Sequence, residues 1–171
     1  MTYILVGMPG SGKSCMGRAV ARKLKLKNVD TDKLIEKRTG KKLQDIINED
    51  GLEAFKKIEE ETLLSIKDEG VVLSTGGSAI YYDEAMKHLK TLGPVIYLYT
   101  SLETVKNRIG DFSKRGVVLE PGQTLEELYN ERTALYKKYA DITVSCDGNA
   151  YSRYQAQLFN AITKFTDAKA K

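Results

Sequence analysis

Residues 7 to 14 read GMPGSGKS and follow directly on the apolar run Tyr3-Ile4-Leu5-Val6. The string satisfies G-x-x-x-x-G-K-[ST] in the context that gives this pattern meaning, a strand before it and a helical period after it. Gly7, Gly10 and Gly12 let backbone N–H groups point inward around an anion, and the helix that follows contributes its positive N-terminal end. Lys13 has the reach and charge for the terminal phosphates, and the Ser14 hydroxyl suits magnesium. Gly10, Ser11, Gly12, Lys13, Ser14 and Cys15 are therefore the candidate nucleotide-binding residues, and the expected ligand is a nucleoside triphosphate with magnesium.

Such a loop serves GTPase switches, ATP-driven motors and kinases alike. No Asn-Lys-x-Asp string occurs, which disfavours guanine readout, and the apolar runs at 71 to 75 and 95 to 100 do not end in an aspartate for magnesium. Carboxylates come instead from NVDTDKLIEK, where Asp30 and Asp32 lie just beyond a short strand. One can order magnesium waters while the other receives a hydrogen bond or proton from an attacking hydroxyl, which is what phosphoryl transfer to an alcohol requires. Asp30 is also well placed to cap the next helix, but a cap accounts for one aspartate and not for two.

Three further features face the acceptor question. TGGSA at 75 to 79 follows a buried strand, and Gly76 and Gly77 allow either a close ligand approach or simply a tight turn. Between Leu125 and Tyr139 the apolar positions 125, 128, 135 and 139 leave one gap in a helical stripe, and Arg132 fills it. An inward arginine pairs with an internal acid or waits for an anionic ligand. Lys56 and Glu59 share a helix face beside Phe55, Ile58 and Leu63, a spacing that by itself reads as a solvated surface pair.

These residues need a scaffold, and the hydropathy pattern supplies one. Strand-like runs at 3 to 7, 28 to 30, 71 to 75, 95 to 100 and 142 to 145 alternate with helical segments at 13 to 26, from 31 to about 68, 84 to 92, 102 to 109, 125 to 139 and 151 to 165. Alternation of this kind gives a parallel sheet covered on both faces, with ligands beyond the carboxyl ends of the strands. Residues 110 to 123, GDFSKRGVVLEPGQ, lack a clear period and read as a mobile flap.

The chain has 171 residues, consistent with one domain over its whole length. The net charge of +4 is spread among acids rather than gathered into a basic block with aromatics, so nucleic acid is not an expected partner. No apolar run is long enough for a bilayer, and no basic-then-apolar export segment opens the chain, so a cytoplasmic location is expected. Cys15 and Cys146 have neither disulfide-framework nor metal spacing.

With these pieces placed, the chain resembles the shikimate kinases, small P-loop kinases of the nucleoside monophosphate kinase fold, from about residue 3 to residue 145. The resemblance is carried by GMPGSGKS, the Asp-x-Asp of VDTDKLIE, DGLEAFKKIEEE, LSTGGSAI, the arginine of KRGVV, and ERTALYKKYAD. It implies a three-layer α/β fold with a five-stranded parallel sheet of order 2-3-1-4-5, a lid at about 110–123 and an acceptor-binding helical segment at about 31–68. It also implies an ATP- and magnesium-dependent kinase, expected as a monomer, acting on a hydroxyl of a small anionic metabolite, with shikimate converted to shikimate 3-phosphate. Asp32 would sit at the acceptor hydroxyl, Asp30 near magnesium through water, Arg115 over the transferring phosphate, Arg132 on the substrate carboxylate and Arg108 against the adenine. Lys56, Gly76, Gly77 and Ser78 fall in its acceptor site. Three departures stand out: Lys56 replaces an arginine, Ser78 replaces the third glycine of a triple-glycine turn, and Gly116 and Val117 follow Arg115 where the family has proline and leucine. Rival readings are a same-fold kinase for another hydroxy acid, sugar acid or hydroxy amino acid, and a non-catalytic nucleotide-binding regulator. A nucleoside monophosphate kinase fits less well, because Arg38 is the one arginine among residues 30 to 70 that could hold a second phosphate.

Overall fold

The computed structural model describes residues 1–110 and 122–170. The chain begins with β1 (Tyr3–Val6), whose four apolar residues are all buried, as a central parallel strand covered on both faces must be. The phosphate loop leads into α1 (Lys13–Leu24), which ends where Lys25 turns left-handed at φ 58° and returns its N–H to the carbonyls of Ala21 and Arg22. Then come β2 (Lys27–Asp30), α2 (Thr31–Thr39), α3 (Leu43–Asp50) and α4 (Leu52–Ser65). β3 (Val71–Ser74), a short 3-10 turn (Ala79–Tyr81), α5 (Asp83–Leu92), β4 (Val95–Tyr99) and α6 (Leu102–Ile109) follow. Beyond residue 122 lie α7 (Leu125–Tyr139), β5 (Ile142–Ser145) and α8 (Tyr151–Lys169).

The five strands pair in parallel in the order β2-β3-β1-β4-β5, the order that the resemblance implies. The pleat splits the sheet's side chains between two cores. Ile4, Val6, Leu73, Val95 and Tyr97 pack with α4, α5, α6 and α7 on one face, while Tyr3, Leu5, Val72, Ile96 and Leu98 pack with α1 and α8 on the other. Full burial of one such Leu or Ile side chain stabilises the fold by about 1.5–3 kcal/mol. A smaller cluster of Ile35, Ile46 and Phe55 binds α2, α3 and α4 to each other beside the sheet. The last helix runs to Lys169 rather than ending near residue 165, since Ala, Lys and Asp in the expected solvated tail carry no helix breaker and Lys169 complements the C-terminal dipole.

The strand order decides what can meet. With β3 between β2 and β1, the carboxyl ends of these three strands place Asp30–Asp32, the turn after Ser74 and the phosphate loop side by side. α7 approaches from the remaining side. A capping box fixes its start, the Thr124 side chain accepting from Glu127 N–H and the Glu127 carboxylate accepting from Thr124 N–H. Its tyrosines then pin it to the body: Tyr129 donates to the Thr100 carbonyl at 2.9 Å, Tyr136 to the Gly77 carbonyl at 2.6 Å and Tyr139 to Asp83 at 2.6 Å.

Candidate active site

The loop between β1 and α1 is held by its own backbone, Ser11 N–H donating to Met8 O at 3.0 Å and Met16 N–H to Gly12 O at 2.8 Å. Gly10 and Gly12 adopt φ of 77° and 93°, a left-handed backbone that leaves the concave side of the loop clear of side chains. A Cβ on Gly10 would stand 2.8 Å from Ile109 Cγ1, so the loop also lies tight against α6. Lys13 is buried, and its Nζ donates back to the carbonyls of Gly7 at 2.7 Å and Met8 at 3.0 Å. Burial lowers its pKa to about 8, opposed by the Asp32 charge. The Ser11 hydroxyl is buried without a hydrogen-bond partner, and a Cβ on Gly7 would stand 3.0 Å from it. Ser14 is half-buried and Cys15 exposed at the mouth. Arg108 of α6 closes the far wall, donating to Gly10 O at 3.2 Å, Cys146 O at 2.8 Å and Gly148 O at 2.5 Å.

The acids stand opposite. Asp30 does cap α2, but over a long 3.4 Å contact with Lys33 N–H. Between the two aspartates Thr31 is fully buried, and its hydroxyl accepts the Gly76 N–H at 3.1 Å, tying the start of α2 to the turn after β3. Asp32 projects into the same cavity as the phosphate loop, a space of about 540 Å³. Burial, then the neighbouring Asp30 charge, raise its pKa to about 6, with Lys13 pulling the other way.

The turn after β3 gathers the rest. A Cβ on Gly76 would stand 2.4 Å from Glu59 Oε1 and 3.1 Å from Asp32 Oδ1, and one on Gly77 would stand 3.0 Å from Arg132 Nη1. Both glycines are thus required by three side chains converging on bare backbone. Glu59 is no surface residue, contrary to the expectation from spacing. It is 1% exposed and accepts from Ser78 Oγ at 2.6 Å and Tyr82 Oη at 2.8 Å, and burial raises its pKa. Lys56, on the preceding turn of α4, meets Glu53 at 3.0 Å. Arg132 is 3% exposed, with its guanidinium 5.5 Å from the Tyr81 ring centroid and its Nε lacking a partner. Among the described residues it forms no ion pair, so the internal-acid reading of the inward arginine falls away. A second cavity of about 220 Å³, sharing Phe55 and Ser78 with the first, is walled by Lys56, Tyr81, Tyr82, Leu128 and Arg132.

One compartment thus offers an anion cradle and a carboxylate, and the next an apolar pocket ended by a buried arginine. A family model described as shikimate kinase matches residues 9–165. The chain belongs to the shikimate kinase family. A shikimate kinase of Sulfurihydrogenibium sp. (strain YO3AOP1) is 35% identical over 161 residues, covering 94% of this chain and 96% of its own. One from Vibrio parahaemolyticus is 38% identical over 146 residues, 84% of this chain and 85% of its own. The solved shikimate kinase from Acinetobacter baumannii in complex with shikimate is 32% identical and superposes with a TM-score of 0.84, over 95% of this chain and 93% of that one. Members of this family are ATP-dependent kinases of a small-molecule hydroxyl.

Most of the predicted site residues come together around these two cavities. Gly10, Gly12, Lys13, Ser14, Cys15, Arg108, Asp32, Gly76, Gly77 and Ser78 line one cavity, and Lys56 and Arg132 the adjoining one, whereas Ser11 is buried within the loop and Asp30 lines neither. Arg115 and the body of the expected lid, residues 111–121, lie outside the described residues. Thr31, Glu59, Tyr82 and Tyr136 escaped the sequence reading. Thr31 gives no signal, a threonine between two aspartates being ordinary. Glu59 carried one, since it shares the face of α4 that also presents Phe55 and Leu63, both buried.

Proposed function

We propose that this protein transfers the γ-phosphoryl group of ATP to the 3-hydroxyl of shikimate, working as a single-domain, monomeric cytoplasmic enzyme with Mg²⁺. The carrying observation is the pairing, across the Gly76–Gly77 turn, of a buried phosphate cradle and Asp32 with an unpaired buried arginine at the end of an apolar pocket. An acceptor with one carboxylate, a ring to fill the apolar space and a hydroxyl at the far end suits that arrangement. Among the described residues no helix is long and apolar enough to cross a membrane.

The donor set suits a hard cation. Ser14 would hold Mg²⁺ directly and Asp30 through water. Among the described residues no three His, Cys, Asp or Glu side chains come together as a ready-made metal cage, and Mg²⁺ ordinarily takes most of its ligands from phosphates and water. When bound, the ion neutralises charge on the polyphosphate.

The chain's own residues do the rest. The loop amides and Ser11 orient the phosphates, and Lys13, already held inside the loop by the Gly7 and Met8 carbonyls, places a positive charge against them. Arg132 anchors the acceptor carboxylate, and the Gly76–Gly77 turn lets the acceptor approach backbone closely. Asp32 then holds the hydroxyl and takes its proton as the new oxygen–phosphorus bond forms and ADP leaves with the electron pair of the broken one. A pKa of about 6 leaves Asp32 ionised at neutral pH yet basic enough to hold the proton. By sequence alone, Arg115 is assigned to the transferring phosphoryl group.

An acceptor panel tests this reading, with ADP release as the signal: shikimate, other cyclic and linear hydroxy acids, sugar acids and hydroxy amino acids. The expected result is release with shikimate at a kcat/KM well above that with any other compound. Faster release with another class would move the protein to a different acceptor, and none with any compound would favour a nucleotide-binding regulator.

A further inference from the structure

Arg132 and Glu59 pose a problem that the proposed reaction does not resolve. Both are buried, at 3% and 1% exposure, both border the Gly76–Gly77 turn, and the arginine's charge is felt at the glutamate. Two opposite charges so placed in a low-dielectric site would normally close into an ion pair. They do not: among the described residues Arg132 has no ion-pair partner, and its Nε has no hydrogen bond at all. What occupies Glu59 instead is a pair of neutral hydroxyls. Ser78 Oγ at 2.6 Å and Tyr82 Oη at 2.8 Å both donate to the same oxygen, Oε2, one from the turn after β3 and the other from the residue preceding α5. A carboxylate accepting two short hydrogen bonds has its charge solvated by the protein and no longer needs the guanidinium.

Resting on the reading of Arg132 as the acceptor anchor, we propose that Ser78 and Tyr82 are positioning residues that clamp Glu59 and thereby keep Arg132 presented to the acceptor carboxylate. The clamp gives a role to one of the chain's departures from its family. Ser78 replaces a glycine and brings the first hydroxyl. The other departure at this site, Lys56, meets Glu53 at 3.0 Å on the rim. Neutral donors solvate the buried carboxylate while adding no charge to compete with Arg132 for an anionic ligand.

The test is a Ser78→Ala/Tyr82→Phe double variant, read by steady-state kinetics and by crystallography, with each single variant prepared in case the double one is poorly folded. Without the hydroxyls, Glu59 turns to Arg132, and KM for shikimate rises by about tenfold or more, the scale of a charge-assisted hydrogen bond, with KM for ATP unchanged and kcat altered far less. Adding Glu59→Gln removes the competing charge and recovers most of the lost acceptor affinity, a rescue that a merely structural role would not give. An unchanged KM, or a raised KM that Glu59→Gln does not rescue, overturns the clamp. The crystal structure of the double variant separates this from the identity of the acceptor. An Arg132–Glu59 ion pair supports the clamp even if shikimate proves not to be the substrate, and an Arg132 that has not moved refutes it even if shikimate does.

Discussion

The two halves of the proposed active site are built in opposite ways. The nucleotide half is contiguous: eight residues of one loop, with one lysine tethered by carbonyls five and six residues upstream. The acceptor half is convergent. Asp32 comes from α2, Glu59 from α4, Ser78 from the turn after β3 and Arg132 from α7, and they meet because the strand order β2-β3-β1 brings those elements to one edge. A phosphate is recognised by what every chain possesses, N–H groups at a helix start, whereas a particular acceptor needs side chains that only the tertiary fold can gather. Of the departures from the family pattern, Lys56 and Ser78 accordingly lie in the convergent half and Gly116 and Val117 lie outside the described residues, and the loop keeps its pattern whole.

Substitutions separate the halves by what each variant loses. The largest effect is expected at their junction. Asp32→Asn should cut kcat by about 10²–10⁴-fold, the range for removing a positioned general base, with little change in KM for ATP. The same variant should melt at a higher temperature. Burial raises the Asp32 pKa from 3.8 to about 6, so the ionised side chain destabilises the fold, fully above pH 6 and not at all well below 3.8. Thermal melts at pH 7.5 check this, and an unchanged or lower melting temperature would contradict the buried placement. Next comes Lys13→Ala, for which the loss in kcat should be about 10²–10³-fold with the fold intact by circular dichroism, since the lysine's contacts are confined to the loop. Near-parent turnover at saturating ATP would break the nucleotide assignment.

Arg132→Ala is the mirror experiment. It should weaken acceptor binding by at least about 2 kcal/mol while ATP affinity, measured by calorimetry, stays as in the parent. Equal losses for both ligands would mean that the halves are not separable. A smaller effect is expected from pH. In the free enzyme, kcat/KM should climb with pH through about 6 as Asp32 ionises and fall above about 8 as Lys13 loses its proton, a bell whose two limbs belong to the two halves. Asp32→Asn should abolish the acid limb and move the basic one to lower pH, because the Asp32 charge holds the Lys13 pKa up. The smallest effect is a structural one: Thr31→Val leaves the Gly76 N–H unpaired in a buried site and should cost about 1–3 kcal/mol of stability in denaturant titration.

How far each half could be read from sequence follows from the same contrast. The loop and the inward setting of Arg132 were legible, because each is encoded in residues near one another or in a helical period, whereas the strand order came only from the resemblance to the family. Glu59 was not. Its spacing to Lys56 describes only a helix face, and whether that face is wet depends on α5 and the turn after β3, far along the chain. Thr31 and Tyr136 were hidden for the same reason, their partners Gly76 and Gly77 lying 45 and 59 residues away. The Asp30 question was legible only as a choice, and the structure answers with a long cap contact and a charge that is felt at Asp32 and Lys13.

The most direct test of the whole account is a ³¹P NMR time course of ATP and shikimate with the parent protein and with Asp32→Asn. With the parent, a phosphomonoester signal should grow in step with ADP and stop when either substrate is exhausted, and with the variant neither should accumulate on that timescale. ADP without a phosphomonoester, or no reaction by a parent protein that binds ATP, would contradict the assignment of shikimate as the acceptor.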